Sequence, residues 1–277
     1  MSSERAGALY LVSTPIGNLG DMSYRAVEVL SSTALVIAED TRHSRRLLDH
    51  YRITTPLSSY HEHNEARETP RLVARLVAGD SIALISDAGT PLVSDPGSRL
   101  VAAAIDANVP VVPIPGPSSV FAALVGSGLS LERFTFFGFL PRKGKERAAS
   151  IEDIAQSRVT SVLFEAPGRV GTTLEALVQA GAGDRPAVVA RELTKQFEEF
   201  RRGTVGELAT LYGESDPKGE VVIVVAGATE RPVSESELND EARKLKASGK
   251  APREVMNHLV EAFGAPRNLA YRIAHED

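Results

Sequence analysis

The chain has 277 residues and no cysteine. Disulfides, thiolate metal sites and cysteine nucleophiles are therefore excluded, and a reducing cytoplasm is the expected setting. Residues 1–7 lack the charged-then-apolar layout of a secretory leader. The loop after the first apolar run reads Ser13-Thr14-Pro15-Ile16-Gly17-Asn18-Leu19-Gly20-Asp21. Pro15 stands where a G-x-G-x-x-G turn needs its first glycine, which excludes NAD or FAD binding there. Lys143-Gly144-Lys145 is followed by Glu146, so the hydroxyl of a phosphate-cradling P-loop is missing. No G-x-S-x-G elbow occurs. His61 and His63 have no nearby cluster of further ligands and read as surface residues, so no metal is expected. Residues 109–131 carry no charge, but Pro110, Pro113, Pro115, Pro117 and three glycines rule out a spanning helix. That stretch reads as a buried strand, a turn and a buried helix, and no membrane association is expected.

What is present suits an α/β protein. Hydrophobic residues make up 43% of the chain, enough for one large domain or two, and the pattern favours two. In the first half, continuously apolar runs at 8–13, 34–38, 81–86 and 109–114 alternate with helical patterns at 23–30, 41–51, 64–78 and 97–107. That order predicts a parallel or mixed sheet whose two faces are covered by crossover helices. A second series follows. Helices are predicted at 119–125, 145–156, 170–180 and 205–212, with strands at 134–140, 159–164, 187–190 and 219–227 and an edge hairpin strand at 197–203. Residues 112–117 are the expected junction and 229–234 the expected linker, giving domains at 1–117 and 118–228. A helical tail at 229–277 has patterns at 235–247, 252–263 and 267–274. Net charge is −5, yet residues 242–275 hold seven Lys/Arg and two acids, +5, which leaves −10 elsewhere. A basic appendage on an acidic body suggests an anionic partner, although a solvated helical face gives the same pattern.

The loop from Ser86 to Gly97 (Ser-Asp-Ala-Gly-Thr-Pro-Leu-Val-Ser-Asp-Pro-Gly) is far longer than a strand-to-helix turn requires. In open α/β sheets ligands bind at the carboxyl ends of the strands, where this loop lies. Other motifs share that edge. Glu39-Asp40-Thr41-Arg42 follows the second strand; Asp40 is either a helix N-cap or, with Arg42, a substrate-orienting pair. Pro115-Gly116-Pro117-Ser118-Ser119 opens a helix with hydroxyls and free N–H groups, for capping or for an anionic or ribose-like group. Phe164-Glu165-Ala166-Pro167 and Arg191-Glu192-Leu193-Thr194-Lys195 end two later strands.

Thr14 to Asp21, Ala38 to Arg42, Ser86 to Gly97, Pro115 to Ser119, Phe139-Leu140-Pro141-Arg142 and Glu165-Ala166-Pro167 occur in the order of one family's signatures. Over 9–227 the chain resembles the ribosomal RNA small subunit methyltransferase I family, S-adenosylmethionine-dependent enzymes of the tetrapyrrole-methylase superfamily. The resemblance implies two α/β domains with the methyl donor in the cleft between them, a homodimer, and 2′-O-methylation of a cytidine ribose in the decoding centre of 16S rRNA within the small subunit. S-adenosylhomocysteine would be the product. Carried onto this sequence, Asp87, Gly89, Thr90, Pro91 and Val93 belong to the donor-binding loop, and Ser118 and Ser119 to its second contact. Phe164, Glu165, Ala166, Ala190, Arg191, Gly219 and Glu220 lie at strand ends that close the pocket. The wider superfamily often has an acid where this chain has Thr90, a departure that argues against a small corrin or porphyrin substrate.

For a 2′-O-methyl transfer, alignment and removal of one proton suffice. Asp40 is the candidate base or ribose orienter, with Arg42 or Lys195 as the phosphate or oxyanion partner. Arg142, Lys143 and Lys145, with Lys250, Arg253 and Arg267 of the tail, are the candidate RNA contacts. A small-molecule tetrapyrrole or corrin methylase on the same fold, and a non-enzymatic RNA-binding or donor-sensing protein, are the alternatives.

Overall fold

The computed structural model describes residues 7–228 and 235–276. The expected linker at 229–234 lies outside the described residues. The chain divides into a larger unit ending at Gly227 and a smaller one beginning at Ala228.

The larger unit opens with β1 (Leu9–Val12), α1 (Tyr24–Ser32), β2 (Leu35–Ala38), α2 (Thr41–His50), β3 (Leu57–Ser59), α3 (Glu65–Val77), β4 (Ile82–Ile85), α4 (Ser98–Asp106) and β5 (Val111–Ile114). These strands form a five-stranded sheet in the order β3-β2-β4-β1-β5, parallel throughout. One face packs Leu9, Ile82 and Leu84 against Leu72 and Leu76 of α3 and Leu100 of α4. The other packs Val12, Val36 and Ile85 against Ala26 and Leu30 of α1 and Leu48 of α2. Covering both faces is why these strands read as unbroken apolar runs rather than alternating ones. β3 has no such run. Its Leu-Ser-Ser is an edge strand with both serines exposed, and apolar patterning does not announce it.

A second sheet follows, from α5 (Ser119–Ser127), β6 (Phe134–Phe139), α6 (Lys145–Gln156), β7 (Thr160–Glu165), α7 (Val170–Leu177), β8 (Pro186–Arg191), β9 (Glu199–Thr204), α8 (Val205–Glu214) and β10 (Val221–Val225). Its order is β6-β7-β10-β8-β9, with β6–β7 parallel and the other pairs antiparallel. β9 is the expected edge strand. Helices α6, α7 and α8 cover one face through Ile151, Ile154, Leu174, Leu177 and Leu208. Helix α5 covers the other with Val120, Ala123 and Leu124, and Ile16 from the first half joins that core. Two expectations need correcting. The helix expected at 170–180 ends at Leu177 and continues as a wider turn around Gly181, whose φ is 88°. The buried helix expected after the proline stretch is buried on one side only: Phe121 and Val125 of α5 are 59% and 70% exposed. Only one side of an apolar-all-round helix meets the sheet.

The smaller unit comprises α9 (Glu235–Ala247), α10 (Pro252–Phe263) and α11 (Arg267–His275) around its own core of Leu238, Val255, Leu259 and Ile273. Gly264 in the left-handed region ends α10. No helix among the described residues is long and apolar enough to cross a membrane.

Candidate active site

The long loop after β4 is tied down by its neighbours. Thr14 and Gly89 exchange both backbone hydrogen bonds, at 2.9 and 3.0 Å. Thr14 Oγ1 donates to the Ser86 carbonyl at 3.2 Å, and Thr90 Oγ1 donates to the Pro117 carbonyl at 3.3 Å while accepting from Ser13 Oγ at 3.3 Å. Three of the sequence motifs are thereby stitched together, and Thr90 is a staple between them. Leu92 and Ser94 in this loop, and Glu192 and Thr194 in the loop after β8, hold positive φ angles of 73°, 69°, 50° and 67°. Such conformations cost non-glycine residues roughly 1–3 kcal/mol each and cluster where function requires a set geometry.

Between these loops lies a cavity of about 340 Å³, within the usual size range of small-molecule sites. Of the residues assigned to the donor, Asp87, Gly89, Thr90, Val93, Ser118, Ser119, Phe164, Glu165, Ala166, Gly219 and Glu220 line it. Three do not. Pro91 is buried behind the loop. Ala190 is fully buried in the core beneath α5. Arg191 bonds Glu199 Oε2 at 2.7 Å and lines a separate depression. From the segment after β8, Leu193 lines the cavity in place of the Ala190 and Arg191 that the resemblance implied.

Glu165 is the most constrained group on the wall. Its side chain is fully inaccessible, accepts from Thr173 Oγ1 at 2.6 Å and from its neighbour's N–H at 2.9 Å, and pairs with Arg169 at 3.2 Å. Arg147 stands 3.9 Å away. Both arginines also donate to the backbone just ahead of Arg142, Arg147 to the Pro141 carbonyl and Arg169 to those of Leu140 and Pro141.

The proposed catalytic trio sits beside the cavity rather than on its wall. Asp40 caps α2 through the Arg42 N–H at 2.8 Å and receives Arg42 Nη2 at 2.9 Å. Those bonds hold its carboxyl down at about 2, which makes it a weak proton acceptor. Its own N–H donates to Asp87 Oδ1 at 3.2 Å, so it braces a wall residue. Arg42 lies on a neighbouring surface depression with Arg45, Ser58 and Ser59. Lys195 Nζ bonds Glu192 at 2.8 Å and the wall residue Glu220 at 3.0 Å.

Sequence reasoning did not assign Asp95 or Phe139, and both line the cavity. Burial, then the charges of Glu39 and Asp87, push the Asp95 carboxyl up to about 6 against a hydrogen bond from Ser86. Glu39 is raised as well, by burial first and then by Asp87, with His61 opposing. The usable signal for Asp95 was its place at the far end of a loop already singled out.

The model of a family described as tetrapyrrole (corrin/porphyrin) methylases matches residues 8–209. A Synechocystis protein named ribosomal RNA small subunit methyltransferase I is 49% identical over 98% of this chain and 98% of its own length. A Mesorhizobium japonicum protein of the same name is 46% identical over 96% and 90%. The chain belongs to the ribosomal RNA small subunit methyltransferase I family. Among solved structures, uroporphyrin-III C-methyltransferase from Thermus thermophilus, complexed with S-adenyl homocysteine, aligns with a TM-score of 0.58 at 18% identity over 79% of this chain and 97% of its own. That likeness concerns the fold. In this methyltransferase I family member, the Thr90 hydroxyl on the cavity wall is spent on Ser13 and Pro117.

Proposed function

We propose that this chain transfers the methyl group of S-adenosylmethionine to the ribose 2′-hydroxyl of a cytidine in the decoding centre of 16S rRNA, acting on the small ribosomal subunit in the cytoplasm as a homodimer. What carries the reading is the convergence of the family's signature loops on one cavity, in a chain whose full-length relatives bear an rRNA methyltransferase name. The division into 1–117, 118–228 and the 229–277 tail belongs to the same reading, supported by one sheet in each of the first two segments.

The cavity's residues suit the donor. Ile16, Val93, Leu193 and Val222 give an apolar lining for its carbon skeleton, and Ser118, Ser119, Asp87 and Glu220 offer groups for its hydroxyls and ammonium. When bound, the donor supplies an electrophilic methyl on a sulfonium. The chain's own task is to align the acceptor oxygen and take one proton.

The RNA contacts remain on exposed cations. Arg142, Lys143 and Lys145 are exposed around the loop that opens α6. In the tail, Arg243, Lys244 and Arg272 are paired with Asp240, Glu241 and Glu235, and Lys246 donates to the Ile273 carbonyl. The tail's basic excess is therefore confined to the joints between its helices, where Lys250, Arg253 and Arg267 are exposed. For the homodimer, support comes from an apolar surface on α5 and β6, where exposed Phe121 meets Phe134 edge-to-face at 5.9 Å beside Val125.

The test is methyl transfer from labelled S-adenosylmethionine to small subunits lacking the modification, followed by alkaline hydrolysis. Label in an alkali-resistant dinucleotide is expected, because a 2′-O-methyl leaves no oxygen to attack the phosphate. Label in mononucleotides would mean base methylation and overturn the reading.

A further inference from the structure

The cavity has a side that the donor assignments leave unused. Phe139 ends β6 on the cavity wall, yet it is 58% exposed. Its orientation comes from an irregularity in the strand. Phe136 pairs with Val162 and Phe139 with Phe164, so three steps along β6 match two along β7. Gly138 takes up the extra residue with a φ of 63°. A regular strand would send residues 136 and 139 to opposite faces; the bulge returns Phe139 to the face of Phe136. Both rings accordingly contact Phe164, at 5.0 and 5.3 Å between centroids. The same bulge brings β6 against the loop after β4: a Cβ on Gly138 would stand 3.5 Å from Ser94 Oγ. The residue after Ser94 is Asp95, on the wall of the same cavity. On its other side, Phe139 is separated by only Leu140 and Pro141 from the exposed cations Arg142, Lys143 and Lys145.

Resting on the methyl-transfer reading above, we infer that Phe139 and Asp95 form the acceptor subsite of the cavity: Phe139 stacks on the base of the extruded target nucleotide, and Asp95 takes the proton of its ribose 2′-hydroxyl. An open aromatic face beside backbone-binding cations can hold a single unstacked nucleotide by stacking on its base, which fixes its ribose beside the cavity. In the reaction the 2′-oxygen forms the new O–CH₃ bond, and the S–CH₃ bond breaks with its electron pair going to sulfur. The hydroxyl proton passes to an Asp95 carboxylate oxygen. The groups facing Asp95 are Glu39 beyond β2 and Asp87 and Ser86 beyond β4, with His61 acting on Glu39. Asp95 is ionised at neutral pH and still a better proton acceptor than Asp40, which Arg42 holds.

The experiment combines methylation kinetics on small subunits with calorimetric binding of S-adenosylmethionine and of a short cytidine-containing oligonucleotide to the S-adenosylhomocysteine complex. Phe139→Ala is expected to raise KM for the subunit roughly 5- to 150-fold with donor affinity unchanged, and Phe139→Trp to restore it. Asp95→Asn is expected to lower kcat by roughly 10²-fold or more, again with donor affinity unchanged. A wild-type KM in Phe139→Ala, a wild-type kcat in Asp95→Asn, or loss of donor binding in either variant overturns the subsite; the last would place these residues at the donor. Should the wild-type protein label no subunits, the methyl-transfer reading fails separately, and the oligonucleotide decides the subsite. Binding lost in Phe139→Ala then supports the stacking platform, and equal binding in both proteins overturns it.

Discussion

Thr173 donates its hydroxyl proton to Glu165 at 2.6 Å, and both residues are buried. The same hydroxyl oxygen accepts Arg147 Nη2 at 2.8 Å. One side chain on α7 thus fixes a buried carboxylate behind the cavity wall and an arginine that holds Pro141. Thr173→Val keeps the shape and removes both bonds. A buried hydrogen bond to a charged group contributes about 1.5–3 kcal/mol, so a destabilisation of that size is expected in urea unfolding, with Thr173→Ser near wild type. Because Arg147 also holds the backbone ahead of Arg142, Thr173→Val should speed tryptic cleavage at 142–145 before global unfolding.

Lys195 lies directly over Gly17. A Cβ at Gly17, whose φ of 155° already disfavours a side chain, would stand 2.4 Å from Lys195 Cγ, so the lysine stem that reaches Glu192 and Glu220 must shift. Gly17→Ala and Lys195→Met should therefore weaken S-adenosylmethionine binding in the same way, by releasing Glu220 from its place on the wall. The ion pairs are partly exposed, so the loss in calorimetry should be no more than roughly fivefold. A Gly17→Ala protein with wild-type affinity would remove Lys195 from the site's support.

These relationships show what was readable beforehand. The central strands of both sheets were visible because strands covered on two faces are apolar throughout, and the place of the cavity was visible because the loop after β4 exceeds what a turn requires. β3 was not visible, since an edge strand of Leu57-Ser58-Ser59 buries little and needs no pattern. The exposed side of α5 was unreadable for the opposite reason: Phe121 and Val125 are as apolar as Val120 and Leu124, and composition does not say which side meets the sheet. Asp95 and Phe139 escaped for a third reason. The first owes its raised carboxyl to burial and to Glu39 from another strand, the second its aim to a bulge, and neither is a property of local spacing.

Binding to the small subunit should weaken with salt through the exposed cations. For contacts to single-stranded RNA the logarithmic slope is about −0.7 per phosphate. Lys143→Ala and Lys145→Ala should each flatten the slope by about that amount, with no change in donor affinity. Arg253→Ala and Arg267→Ala test the tail separately, and an unchanged slope there would assign those residues another role. Arg243→Ala, whose cation already pairs with Asp240 at 3.2 Å, should leave the slope alone.

Asp95 also predicts a pH dependence of stability, opposite in sign to that of an ordinary salt-bridged carboxylate. Its proton is held up to about 6 in the folded protein by burial, Glu39 and Asp87, against 3.8 for a free aspartate. Between those values the folded state binds more protons than the unfolded one, so this residue's contribution to stability falls as pH rises through the window and levels off above about 6. Asp95→Asn removes the ionisation. The variant should therefore melt higher than wild type at pH 8 and close to it at pH 3, where Asp95 is protonated in the folded protein and largely so in the unfolded chain. Partial solvent access keeps the effect well below what full burial would give. Melting curves across that range check the sign. A variant less stable than wild type at pH 8 would mean that the charged Asp95 is stabilised by its surroundings, and its assignment as a raised, proton-accepting carboxylate would fall with it.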